Sequence, residues 1–274
     1  MRRVQPELTP ELMKHFTDVR NIASHEAFPV ATFRKLVEQT AKLSFKNKDY
    51  LIFYRGQSED YKNKAQKSTF YPSIYRGEYL TKEDLRKRFI DLKTKGEVLS
   101  QLFQDHNIDG HTEITRREQL QYSVLQHYEV CPTPYLDITQ SLRVACSFAT
   151  MDKTKKHVYV YAFGLPYITN RISTNSEHDL INIRLLSICP PAALRPYFQE
   201  GYLVGTDNIT DKYESKSELD FNNRLFAKFI IPNNNNFWGS GFSPIPKEAL
   251  QPQKDPVYEL CKSIKEQNTG NLIY

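Results

Sequence analysis

Arg55 stands at the end of an apolar, aromatic run, Tyr50-Leu51-Ile52-Phe53-Tyr54, and is followed by Gly56-Gln57. Arginine is permanently charged and presents five donors in a planar fork, a geometry that matches phosphate or carboxylate. Glycine lets a ligand or a neighbouring backbone come close, and Gln57 adds a neutral donor and acceptor. A second arginine, Arg76, follows the proline turn in Phe70-Tyr71-Pro72-Ser73-Ile74-Tyr75. A third group comprises Gln126-His127, then Asp137, Thr139 and Ser141. Histidine titrates near neutral pH, so a carboxylate such as Asp137 would orient or charge it. Thr139 and Ser141 are hydroxyls at the entry of a short helix. Each group also has an architectural reading. Arg55 would pair with an acidic residue such as Asp137, Arg76 would anchor a loop, Thr139 or Ser141 would cap the helix, and His127 and Asp137 would bond the turn.

These groups need a scaffold. The chain has 274 residues, 39% hydrophobic and 25% charged, which describes a globular protein of one large domain or one domain with appendages. Tyr 17 and Phe 16 against Trp 1 make it rich in aromatic side chains that can build a core or line a cleft. A net charge of +5 permits binding of a polyanion or of nucleotide phosphates, and equally suits a solvated basic surface. Cys131, Cys146, Cys189 and Cys261 form no Cys-x-x-Cys pair, and no histidine cluster has zinc spacing, so no metal site is expected. The first residues lack the apolar run of a signal peptide, and no stretch reaches the roughly 18 apolar residues that cross a bilayer. The expectation is a cytoplasmic protein with reduced thiols and no membrane contact.

Periodicity predicts mostly helix before residue 50, with Thr9 capping a helix that starts at Pro10 and apolar spacing over residues 31–37. Residues 50–54 predict a buried strand. Thr81-Lys82-Glu83-Asp84 opens a long helix over 81–104, residues 105–115 predict a loop, and 116–128 another helix that Cys131-Pro132-Thr133-Pro134 ends. An extended piece at 135–137, a helix over 140–151 and a strand over 157–164 follow. Further strands are predicted at 183–188, 201–204 and 226–231, a polar loop at 233–236, and a closing helix at 256–265. Helices come first and strands later, so an α+β fold is expected.

The ordered motifs resemble the FRG domain, a bacterial and phage family. Arg55-Gly56 ends the first strand. Pro72-Ser73-Ile74-Tyr75-Arg76 gives the Pro-Ser-x-x-Arg segment. Gln126-His127 runs through Thr133 and Leu136-Asp137-Ile138-Thr139 into Ala145-Cys146-Ser147-Phe148-Ala149. Gln199-Glu200-Gly201 and a closing Pro256-x-Tyr258-x-Leu260 segment agree in order over about residues 45–265. Tyr54 replaces the usual phenylalanine, and Pro134 stands where a basic residue is common. The resemblance implies an N-terminal helical segment at 1–45, an FRG domain at 46–265 and a tail at 266–274.

FRG domains are in turn distantly similar to ADP-ribosyltransferases. That likeness implies mixed, mostly antiparallel sheets around a cleft, with N-terminal and flanking helices. It implies NAD as substrate, cleaved at the nicotinamide–ribose bond, with ADP-ribose passed to a macromolecule (protein or nucleic acid) or to water, in the setting of a toxin or phage-defence effector. Tyr54, Arg55, Gly56, Gln57, Arg76, Thr139 and Ser141 would bind NAD. Arg55, His127, Asp137, Thr139 and Gln199 or Glu200 would be catalytic. Gln199 stands where those enzymes carry glutamate, and no Glu-x-Glu pair is present. A non-catalytic module binding a nucleotide or a protein, and a factor acting on nucleic acid, are the alternative expectations.

Overall fold

A computed structural model describes residues 1–77, 80–206, 215–252 and 254–267. Strand β1 (Phe28–Pro29) lies parallel to β8 (Leu225–Pro232), and β8 runs antiparallel to β4 (His157–Leu165). β4 is buried along almost its whole length, as its Val158-Tyr159-Val160-Tyr161-Ala162-Phe163 sequence demands of a central strand. Strand β2 (Leu51–Gln57) pairs with β4 from Leu51↔Leu165 to Gln57↔Tyr159. On the far side, β3 (Leu136–Thr139) pairs with β7 (Gly201–Gly205), β7 with β6 (Leu180–Arg184), and β6 with β5 (Ile172–Asn175), all antiparallel. The result is one sheet in the order β1-β8-β4-β2-β3-β7-β6-β5. Its two halves meet through a single residue pair, Tyr54↔Thr139, between β2 and β3. The sheet therefore splays just where the Arg55 and Asp137 segments diverge.

Helix α1 (Pro10–His15) starts as the sequence predicts, with the Thr9 hydroxyl accepting from Leu12 N, and the helical spacing at 31–37 falls in α2 (Phe33–Lys46), which the Thr32 hydroxyl caps by accepting from Lys35 N. They bury Leu12, Leu36 and Leu43 in the same core as β2, β4 and β8. α3 (Lys82–Asp105) opens with the Thr81–Asp84 capping box and buries Leu85, Leu92 and Leu99 on one stripe. Each such leucine contributes about 1.5–3 kcal/mol. α4 (His111–Arg116) and α5 (Glu118–His127) pack on α3 and build a second core under β6 and β7, closed by α11 (Pro256–Gln267). Between them run α6 (Leu142–Ala149), α7 (Leu185–Ile188), α8 (Arg195–Gln199), α9 (Asn235–Trp238) and α10 (Lys247–Leu250).

The α+β expectation holds, with a single open sheet in place of several. The expected loop at 105–115 contains α4, because Gly110 adopts φ +85 and lets the chain re-enter a helix at His111. The strand expected at 183–188 ends at Arg184 and becomes α7. The polar loop at 233–236 turns into α9, which the Asn234 side chain caps on Phe237 N. β1 and β5 were not anticipated. β1 is two residues long, and β5 (Ile-Ser-Thr-Asn) has too few apolar side chains to show alternation. Beyond residue 267 the expected tail lies outside the described residues. Among the described residues, no helix is long and apolar enough to cross a membrane.

Candidate functional site

A cavity of about 700 Å³ opens where β2 and β3 part. β2 supplies Tyr54, Arg55, Gly56 and Gln57, β3 supplies Asp137 and Thr139, α5 ends on it with Gln126 and His127, and α8 brings Arg195 and Gln199. Arg76, Tyr61, Phe70, Tyr71 and Phe148 complete much of its wall. Most residues singled out from the sequence thus converge on one space. Ser141 and Glu200 are not among its lining residues.

The Arg55 guanidinium bridges the splayed strands, Nη1 donating to the Asp137 backbone carbonyl at 2.6 Å. Its Nε is buried without a partner. Burial lowers the Arg55 pKa, with the nearby Asp137 charge working against that fall. The Asp137 carboxylate itself is held by Gln126 and His127: Gln126 Nε2 donates to Oδ2 at 2.6 Å, and His127 Nδ1 lies 3.3 Å from Oδ1. Burial alone would raise the Asp137 pKa. The hydrogen bond and charge of His127, the charge of Arg55 and the Gln126 bond outweigh it and hold the carboxyl below the usual range. The Asp137 side chain is 40% exposed, whereas that of His127 is 2% exposed, so Asp137 is the partner that faces the cavity.

The network continues outward. Gln126 Oε1 accepts from the hydroxyl of Thr133 and, at 3.5 Å, from that of Ser73, and Ser73 Oγ accepts from Thr133 N at 2.9 Å. Ser73, Gln126, His127, Thr133 and Asp137 therefore form one connected set, which explains why these residue types occur together in the sequence. Arg76 is exposed at the rim, its Nε donating to Tyr71 O at 2.9 Å.

Several expected ligand contacts have an architectural use instead. A Cβ on Gly56 would come within 1.8 Å of the Ala145 carbonyl oxygen, so this glycine admits the backbone of α6. Thr139 Oγ1 donates to the carbonyls of Gln199 and Glu200, each at 3.1 Å, and accepts from Ser141 N at 3.0 Å. Ser141 caps α6 through Val144 N. Gln199 lines the cavity, but its Nε2 donates to Leu250 O at 2.7 Å. Glu200 is exposed in a left-handed turn with φ 44. Gly201 is forced by the site as well: a Cβ there would lie 2.9 Å from Leu185 Cδ1 and 3.4 Å from His127 Cε1.

Four buried polar atoms without partners lie on this wall: Arg55 Nε, Gln57 Oε1, His127 Nε2 and Arg195 Nε. Buried polar groups are normally matched by protein or by water, so these four atoms are open to bonding with water or another molecule in the cavity. Arg195 was not anticipated from the sequence. Arg195-Pro196 carries no motif, and its role depends on Tyr128 and Tyr258, which are distant in sequence. Among the described residues, no cluster of three or more His, Cys, Asp and Glu side chains could hold a metal ion.

The sequence profile of the FRG domain matches residues 50–157. This segment is an FRG domain. The match contains Arg55, Arg76, Gln126, His127, Asp137, Thr139 and Ser141, while Arg195, Gln199 and Gly201, which complete the cavity, lie beyond it. No curated protein and no solved structure was found to match the chain.

Proposed function

We propose that the cavity of the FRG domain binds NAD and that the protein cleaves the nicotinamide–ribose bond. The observation that carries this reading is the ionised Asp137 carboxylate, locked by Gln126 and His127, facing a cavity that also holds unmatched arginine donors. In the reaction, the bond from ribose C1′ to the nicotinamide nitrogen breaks. Nicotinamide leaves neutral, taking the electron pair that quenches its pyridinium charge, and the ribose becomes an oxocarbenium ion. A fixed carboxylate stabilises such a cation. The oxygen of water, or an oxygen or nitrogen of a macromolecular acceptor, then bonds to C1′, and its proton passes to solvent. Asp137 would face the developing charge. His127 is a positioning residue that keeps Asp137 ionised and oriented, and Arg55 holds the two strands at the spacing the ligand needs. Tyr54, Tyr61, Tyr71 and Phe148 offer aromatic surface to the planar rings.

Purified protein incubated with labelled NAD, alone and with host lysate, tests this. Nicotinamide release that falls about 100-fold or more in Asp137→Asn is the expected result. A folded wild-type protein that releases none, or release unchanged in Asp137→Asn, contradicts it. Toxicity on expression that disappears in the same variant would support the effector role implied by the resemblance.

One set of contacts favours a second reading, a module that binds the nucleotide without cleaving it. The Gln199 amide and the Thr139 hydroxyl are both engaged by backbone, and Glu200 is not among the residues that line the cavity. Saturable NAD binding with no nicotinamide release would establish that alternative.

A further inference from the structure

Arg195 begins α8, on the β7 side of β3, whereas Arg55 approaches from the β2 side. The two arginines thus line the same cavity from opposite flanks of β3. Arg195 is 9% exposed. Its guanidinium lies between two rings, 5.2 Å from the Tyr128 centroid and 4.7 Å from that of Tyr258. Its buried Nε has no partner, and among the described residues its side chain forms no ion pair.

The obvious counter-ion, Asp255, is already engaged. Its Oδ2 accepts from Tyr128 OH at 2.6 Å, from Leu194 N at 3.0 Å and from Arg195 N at 3.2 Å. Its Oδ1 accepts from Val257 N at 3.0 Å and Tyr258 N at 3.2 Å. Asp255 therefore fixes the starts of α8 and α11 and pins the backbone of Arg195, while the guanidinium is left between the rings. Taking a guanidinium out of water without a bonded anion is unfavourable, and stacking on two aromatic faces recovers only part of that. A planar donor fork held rigid in a cavity wall is the arrangement that binds phosphate oxygens.

We propose that Arg195 is the diphosphate clamp of the cavity, so that the ligand is a nucleoside diphosphate or a dinucleotide containing one. The proposal rests on the reading that the cavity binds a nucleotide. It assigns the phosphate contact to Arg195 rather than to Arg55, whose Nη1 is held by the Asp137 carbonyl.

Calorimetric titration of the full chain with ADP and with adenosine tests it, using wild type, Arg195→Gln and Arg195→Lys, each checked by thermal melting. Wild type is expected to bind ADP more tightly than adenosine, with affinity falling as salt rises. Arg195→Gln should lose about 10–100-fold in ADP affinity and none in adenosine affinity, consistent with charged hydrogen bonds. Arg195→Lys should fall between, and it carries the test if the glutamine variant does not fold. Equal affinity of wild type for ADP and adenosine, or ADP binding unchanged in both variants, overturns the clamp. Nicotinamide release by a wild type that fails this test would leave the NAD reading standing, whereas absence of both would remove the two together.

Discussion

Lys228 on β8 and Arg195 on α8 both carry positive charge below the surface, but their surroundings differ. Lys228 is wholly buried, and its Nζ donates to Ala23 O at 3.2 Å, to Asp60 Oδ2 at 3.2 Å and to Ser68 Oγ at 2.8 Å. An ammonium has three donors, and all are matched. The other Asp60 oxygen accepts from Tyr161 OH at 3.1 Å, so the cluster closes on itself. Arg195 has rings on both sides and no bonded anion. The fold builds a complete partner set around the buried cation at Lys228, whereas the set around Arg195, which lines the cavity, is incomplete. Arg224 lies between these cases. Its Nε and Nη1 reach Gly164 O, Arg2 O and His178 Nδ1, anchoring the N-terminal segment away from the cavity, and burial lowers its pKa to about 10.

This contrast can be broken by substitution. Lys228→Met leaves the buried Asp60 with only the more distant Lys62 Nζ, at 3.9 Å, as a cation partner and should lower stability by about 2–3 kcal/mol in urea unfolding, with ligand affinity at the cavity unchanged. Loss of affinity in a folded Lys228→Met protein would show that the two clusters are not separate. Asp137→Asn should do the reverse: about 3–4 kcal/mol of transition-state stabilisation lost in the rate of nicotinamide release, with melting affected far less. Gly56→Ala forces a methyl into the Ala145 carbonyl and should cost about 3 kcal/mol or more. A neutral result there would mean that α6 does not press on β2 as described.

The pH dependence has a definite sign. Asp137 is held below its ordinary value of 3.8, so its folded-state contribution is fully present above that value and is lost as pH falls below it. Wild type should lose stability in that range more steeply than Asp137→Asn, and parallel curves would contradict the assignment. A smaller effect separates the two cores. Cys146 belongs to the first core and Cys261 to the second, and burial pushes both thiols up. With the halves of the sheet joined by one residue pair, Cys261 should become labelled by a thiol reagent at lower denaturant than Cys146. Coincident labelling would mean that the halves unfold as one unit.

Much of the site was legible because its members lie in short motifs. Arg55-Gly56 sits near the end of β2, Gln126-His127 ends α5 and Asp137 lies at the start of β3, and the turn between α5 and β3 brings the last three residues together. What could not be read was which polar groups would be engaged by backbone. Thr139 and Ser141 are capping and strand-tying hydroxyls, and the Gly56 gap is filled by α6, because local helix geometry satisfies them first. Arg195 was missed because its environment is assembled from α5, α8 and α11, which no local pattern links. The same holds for the strands: β4 showed itself by alternation, but β1 exists only because β8 offers it an edge.

The most direct test is a crystal structure of the protein soaked with NAD or ADP-ribose. The diphosphate is expected within about 3 Å of the Arg195 guanidinium, with the ribose of the cleaved bond beside Asp137. An empty cavity at saturating ligand, or a ligand bound elsewhere on the surface, would contradict the account.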